Sequence, residues 1–250
     1  MSMSMIRTAL ALVPLALAMP QTTTAQALPE ARTLIDRYLQ VSGAAKMLNA
    51  PGVRTKGTFD LQAAGISGAL EAIQSKDGRS LTTISLPGIG EVKQGTELDF
   101  AWAMDPFQGP RLIEGAEFAQ LKEQQDPKAQ MRDAAFVSSA TTVERTTMDG
   151  QPCVKVKLVW KSGRESVECY SEQTGFLVAS EGVQKSPMGD IPTTTFYRDY
   201  KDLGYGVMSA TKVVQQVMGQ EQVLSFTSMS VEAIPPEVFV VPAEIKALRK

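Results

Sequence analysis

The feature that most constrains this chain is a period-two alternation of apolar and polar residues that hardly stops between residues 141 and 232. Seven segments read as strands: 141–148, 153–160, 165–170, 176–185, 193–201, 206–218 and 222–232. Turn signals separate them at Asp149-Gly150, Ser162-Gly163, Met188-Gly189-Asp190 and Gly219-Gln220. An earlier stretch from Gly52 to about Met104 has the same texture. There Phe59, Leu61 and Ala63 alternate with Thr58, Asp60 and Gln62, and Leu98, Phe100, Trp102 and Met104 alternate with Asp99, Ala101 and Ala103. Its punctuation falls at Gly65, Asp77-Gly78, Pro87-Gly88 and Gly95. Consecutive strands joined by tight turns pair antiparallel, so the chain is mainly a β-meander with one face to bury.

Helical periodicity is confined to a few places. Leu34, Tyr38, Val41, Ala45 and Leu48 recur with helical spacing after Pro29 and predict one amphipathic helix that ends near Pro51-Gly52. Residues 115–135 predict a second helical stretch, broken at Asp126-Pro127, inserted between the two sheet halves. A short helix is expected after Pro242. These helices are too few to cover so long a sheet, which must close into a barrel or curve into an open half-barrel with the helices as a lid. Either form can leave a hollow. Met104, Met208, Met218 and Met229 read as strand residues that could line it adaptably.

Several functions are disfavoured by what the chain contains. It holds 25 Lys+Arg against 27 Asp+Glu, so it has no basic surplus for nucleic acid. It has no histidine, which removes the commonest general base and every His-containing zinc site. Glu165 with Glu168, and Asp199 with Asp202, read as solvated faces rather than catalytic pairs. Leu86-Pro87-Gly88-Ile89-Gly90 lacks the helix start of a phosphate loop, and the Ser67-Gly68 and Ser162-Gly163 pairs read as turns. No catalytic residue, metal or cofactor is expected.

Arg7, an apolar run from Ala9 to Met19 and the small-residue site Ala25-Gln26-Ala27 read as a secretory leader over residues 1–27. Residues 28–250 show no linker and no repeat and read as a single domain, exported to an oxidising compartment. Cys153 and Cys169 could be joined there. With Ser162-Gly163 as a two-residue turn, however, Val156 pairs with Cys169 and the two cysteines point to opposite faces. That register predicts two unpaired thiols, unless a bulge or slip realigns them.

Several short pieces together resemble the LolA-like superfamily, the periplasmic outer membrane lipoprotein-sorting or lipoprotein-carrier proteins. They are Leu34-Ile35-Asp36-Arg37-Tyr38 leading to Lys56-Gly57-Thr58-Phe59, then Ala101-Trp102-Ala103-Met104-Asp105-Pro106 and Tyr170-Ser171-Glu172-Gln173-Thr174-Gly175-Phe176-Leu177. Phe196-Tyr197-Arg198-Asp199-Tyr200-Lys201, Gly206-Val207-Met208 and Pro236-Glu237-Val238-Phe239 complete the series. The resemblance implies a curved antiparallel half-barrel with a helical lid, holding acyl chains in its hollow. It also implies a buried arginine that ties the lid shut, a role the sequence places on no particular arginine.

The candidate ligand-binding residues are the bulky ones on alternating faces: Phe59, Leu61, Phe100, Trp102, Met104, Val156, Leu158, Trp160, Leu224 and Phe226. If they line a hollow, burying a chain of roughly 16 carbons at about 0.8 kcal/mol per methylene would hold a lipid without any chemistry. The same side chains could instead fill one another's space. The expected function is a periplasmic carrier of lipoprotein acyl chains or another hydrophobic ligand, without catalysis and without nucleic acid. The alternative is a non-catalytic envelope sensor with protein partners on the same fold.

Overall fold

A computed structural model of the chain describes residues 27–249, so the leader expected over residues 1–27 lies outside the described residues apart from Ala27. The first half of the chain lays down helix α1 (Ala31–Ser42) and strands β1 (Gly52–Leu61), β2 (Ile66–Ser75), β3 (Ser80–Leu86), β4 (Gly90–Thr96), β5 (Ala101–Asp105) and β6 (Gly109–Ile113). Helices α2 (Gly115–Gln125) and α3 (Pro127–Gln130) follow. The second half contributes β7 (Val137–Met148), β8 (Gln151–Trp160), β9 (Glu165–Tyr170), β10 (Leu177–Ser186), β11 (Gly189–Asp202), β12 (Met208–Val217) and β13 (Gln220–Val231), then helix α4 (Ala243–Leu248).

All 13 strands form one antiparallel sheet in the order β6-β5-β4-β3-β2-β1-β13-β12-β11-β10-β9-β8-β7. The two meanders join where β1 pairs with β13, and the sheet stays open, with β6 and β7 as its edges. This is a mainly β architecture, a curved half-barrel with a few helices. The helical break predicted at Asp126-Pro127 is present, and the Asp126 carboxylate caps α3 by accepting from the Lys128 backbone N–H.

Register tells which side of the sheet each residue occupies. Gln125, at the end of α2, bonds the side chains of Ser80 and Thr96, and its carbonyl accepts from Gln74, so these three residues lie on the helix side. Counting by twos along β2 and across its pairs with β1 puts Phe59 and Leu61 on that concave side, and the pairing with β13 adds Leu224 and Phe226. The opposite, convex side is covered by the C-terminal segment. There Ile73, Ile234 and Phe239 cluster, Arg79 lies over the Phe239 ring at 5.0 Å, and Ile245 of α4 is fully buried.

Four sequence expectations change. The first helix stops at Ser42 because Gly43 takes a left-handed conformation (φ 65), and a 3₁₀ segment carries Ala45 and Leu48, the latter largely exposed. Residues 131–135 are turn rather than helix. Gly95 lies within β4, where the Trp102 indole occupies the space of the missing side chain; a Cβ there would sit 2.3 Å from the ring. Met218 is no strand residue; it forms the β12–β13 turn with Gly219.

The cysteines are a fifth correction, because Cys153 and Cys169 are joined in a disulfide with their Cα atoms 5.5 Å apart. The β8–β9 turn holds three residues, not two: Trp160 pairs with Arg164 around Lys161-Ser162-Gly163, with Gly163 at φ 84. One extra turn residue slips the register by one. Lys155 then pairs with Cys169, and Cys153, two residues along, shares its face. The bond sits on the convex side within a small core of Val178, Ala179, Met148 and Phe196. Alkylating the denatured, unreduced protein is therefore expected to label neither cysteine. Replacing both by alanine is expected to cost about 2–4 kcal/mol in urea unfolding; two labels per chain would overturn the register described.

Candidate functional site

The concave side divides into two chemically different regions. Under α1, the inward row Val154, Val156, Leu158 and Trp160 of β8 packs with Leu34, Ile35 and Tyr170 into a closed core. Val156 and Leu158, expected to line a hollow, are fully buried against the helix and fill that space themselves. Trp160 stands at the border of this core. Its indole N–H donates to the Ser166 hydroxyl at 2.9 Å, and the Arg164 guanidinium covers its ring at 3.9 Å.

Beyond Trp160 a cavity of about 430 Å³ opens between α2–α3 and strands β9–β12. Its lining is polar: hydroxyls of Ser166, Ser180, Thr193, Thr195 and Tyr197, the amides of Gln124, Gln130 and Gln215, and two ion pairs. The deeper pair joins Arg132, just after α3, to Glu168 of β9. Its Nε lies 3.0 Å and its Nη2 2.8 Å from the two carboxylate oxygens, and both side chains are nearly buried. Tyr170 donates its hydroxyl to the same carboxylate, and the guanidinium lies over the Tyr38 ring at 5.3 Å. Burial opposes the charge of Arg132, but the adjacent carboxylate outweighs it and holds the guanidinium pKa above its ordinary value. The Tyr170 phenol is pushed well up, first by burial and then by Glu168.

The sequence reading placed Glu168 on a solvated face together with Glu165. Only Glu165 is there, exposed and paired with Lys157 at 2.8 Å. The register that joins the cysteines turns Glu168 inward, opposite Val156 and Ser180. Arg132 itself carried no signal, since it sits in a loop at φ 53. The motif Phe196-Tyr197-Arg198 divides across the sheet. Phe196 packs beside the disulfide, Tyr197 faces the cavity within reach of Ser180 (3.1 Å), and Arg198 pairs with Asp149 on the convex side at 2.5 Å.

Phe59, Leu61, Leu224 and Phe226 lie on the concave side of β1 and β13, all only partly covered. They form the apolar region. Phe100, Trp102 and Met104 do not join them. Thr96 of the helix side pairs with Ala101, so alternation turns the alanines Ala101 and Ala103 inward and sends Trp102 and Met104 to the convex face. There Trp102 is buried against Gly95, and Phe100 lies under Arg249 at 3.7 Å.

Helix α2 bridges the two regions through bonds to widely separated strands. Glu117 pairs with Arg111 of β6 at 2.7 Å, and Glu123 with Arg164 of the β8–β9 turn at 2.8 Å. The Gln120 amide stands in for a missing strand at β10, donating to the Val183 carbonyl (2.6 Å) and accepting from the Lys185 N–H (2.7 Å).

No protein-family model matches the chain, and no curated protein matches its sequence. Solved structures do match in shape. A DUF1329 family protein from Desulfovibrio piger superposes with a TM-score of 0.59 at 11% identity, over 87% of this chain and 100% of that one. A LolA superfamily protein from Nitrosomonas europaea gives 0.53 at 11% identity, over 86% and 99%. The fold is LolA-like. In this LolA-like chain the lid is tied by Arg132, from a loop on the lid to a carboxylate on the sheet.

Arg132→Ala leaves Glu168 buried without its counter-charge and is expected to cost about 3–5 kcal/mol in urea unfolding. Arg132→Met combined with Glu168→Leu removes both charges and is expected to cost far less. Hydrogen exchange at residues 127–136 should quicken in the single variant. A double variant as unstable as the single one would show that packing rather than charge holds the lid.

Proposed function

We propose that this protein is a non-catalytic carrier of a hydrophobic or amphiphilic ligand, with lipoprotein acyl chains as the cargo class its fold suits best, acting in the bacterial periplasm after loss of residues 1–27. The observation that carries the reading is the apolar concave patch of Phe59, Leu61, Leu224 and Phe226, which the helices leave partly uncovered and which Ile66, Ile84, Val92 and Val213 continue on the same side. A monomeric fold gains by covering such side chains, and roughly 25 cal/mol per Å² is available to a ligand that does so. The neighbouring cavity of about 430 Å³ lies within the range of small-ligand sites, and its hydroxyls and amides suit the polar end of the same molecule. The likeness to a LolA superfamily protein agrees with this assignment of the hollow.

Native mass spectrometry and solvent extraction of protein purified from a bacterial periplasm test the reading. Lipid or acylated peptide in near-stoichiometric amount is the expected result. A protein that is empty and also ignores apolar fluorescent probes would overturn it. The two faces of the sheet also make separate predictions. Phe226→Glu is expected to reduce apolar-probe binding at least tenfold, whereas Met104→Gln, on the convex side, is expected to leave it unchanged; the reverse pattern would put the ligand on the other face.

A further inference from the structure

Strand direction sorts the hairpin turns to the two ends of the half-barrel. Six turns follow one another around one rim: β5–β6, β3–β4, β1–β2, β12–β13, β10–β11 and β8–β9. The first five comprise residues 106–108, 87–89, 62–65, 218–219 and 187–188, and none of these is charged; the sixth, residues 161–163, carries Lys161. Four of the first five project a large apolar side chain: Phe107 is 71% exposed, Ile89 39%, Met218 71% and Met188 75%. The β1–β2 turn presents exposed Ala63 and Ala64. Neighbouring tips stand two strands apart, about 10 Å. Four of the five turns at the opposite end carry charge, with Asp77 and Arg79, Glu97 and Asp99, Asp149, and Glu172, while the β11–β12 turn (203–207) is uncharged and presents exposed Tyr205.

Two hairpins of the same geometry sharpen the contrast. Asp149-Gly150 at the charged end and Met218-Gly219 at the apolar rim both place two left-handed residues in the turn, at φ 52 and 72 and at φ 51 and 76. Aspartate is among the residues that tolerate that conformation, and methionine is not. At the rim, the chain accepts backbone strain that Asn, Asp or Gly would relieve, and an exposed thioether is what it gains. Phe107 is likewise held outward by a fixed turn, in which Asp105 Oδ1 accepts from the backbone N–H groups of Phe107 and Gln108, both at 2.8 Å.

We propose that this rim docks on the surface of a lipid bilayer, with Phe107, Ile89, Met218 and Met188 entering the interfacial layer. Apolar points spread along an arc at regular intervals suit a fluid interface, which receives each side chain separately, whereas a protein partner draws most of its binding energy from a compact cluster of anchors. Among the described residues no helix is long and apolar enough to cross a membrane, so the contact is peripheral. Just inside the rim Glu91 is paired with Lys93 and Asp190 with Lys185, so that among the rim turns only Lys161 offers a cation to anionic headgroups. Binding is therefore apolar in origin and insensitive to salt. It does not depend on the identity of any cargo.

The test is flotation of the processed protein from a bacterial periplasm with uncharged phosphatidylcholine vesicles, at low salt and at high salt. The wild type is expected to float at both. Phe107→Ser with Met188→Ser is expected to weaken vesicle binding at least tenfold, with unchanged circular dichroism and thermal midpoint. Leu98→Ser with Tyr205→Ser, at the other end, should leave it unaltered. Failure of the wild type to float, binding lost in high salt, or equal loss from both double variants would overturn the proposal. Concentration-dependent self-association of a wild type that ignores vesicles would also overturn it and make the rim a contact between copies.

Discussion

An open sheet of 13 strands has two edges and two faces, and the chain has to serve all four with few helices. This constraint governs the rest. The first meander ends at β6 and the second begins at β7, at opposite edges, so the connecting chain must cross one face of the sheet. Helices α2 and α3 are that crossing. The lid is thus a consequence of the strand order, and what remains for the sequence to decide is how firmly it is tied. Glu117–Arg111, Glu123–Arg164 and Arg132–Glu168 fasten it at three separate places. The first is partly solvated and contributes modestly, while the other two are mostly buried and cannot lose one partner cheaply.

The same constraint explains why the concave side is uneven. Helix α1 covers one end and is met by valines, leucine and Tyr170 in a dry core. Under α2 and α3 the covering surface offers glutamines, Glu123 and Arg132, and the strands answer with hydroxyls and a carboxylate. Over β1 and β13 the helices leave the side chains partly open, and these are phenylalanines and leucines. The charges at the cavity already have partners, so this side of the sheet offers an apolar patch beside uncharged polar groups.

Much of the architecture was legible because period two and turn chemistry are local signals. The seven later strands, the break at Asp126-Pro127 and the terminal helix after Pro242 appear within a few residues of their expected places. What was not legible depends on single-residue offsets. A two-residue turn at Ser162-Gly163 and the observed three-residue turn differ by one position, and that difference decides whether Cys169 meets Cys153 and whether Glu168 faces solvent or the lid. The row from Leu98 to Met104 failed for a similar reason. Its alternation was real, but two alanines face the hollow and the aromatic face turns outward, beneath a C-terminal segment far away in sequence. Alternation identifies two faces and does not say which one the helices cover.

The convex side resolves a remaining tension. A polar cavity bounded by β9 to β12 deprives those strands of apolar contacts on their inner surface, which ordinarily supply most of a sheet's stability. The compensation lies directly behind them. The disulfide, with Val178, Ala179 and Phe196, forms a compact core on the outer face of β8 to β11, and Arg198–Asp149 extends it toward the β7–β8 turn. Stabilising these strands from outside relieves their inner face of the demands of folding. The first meander follows the same pattern, with Ile73, Ile234, Phe239 and the buried Trp102 behind it and the partly open Phe59 and Leu61 in front.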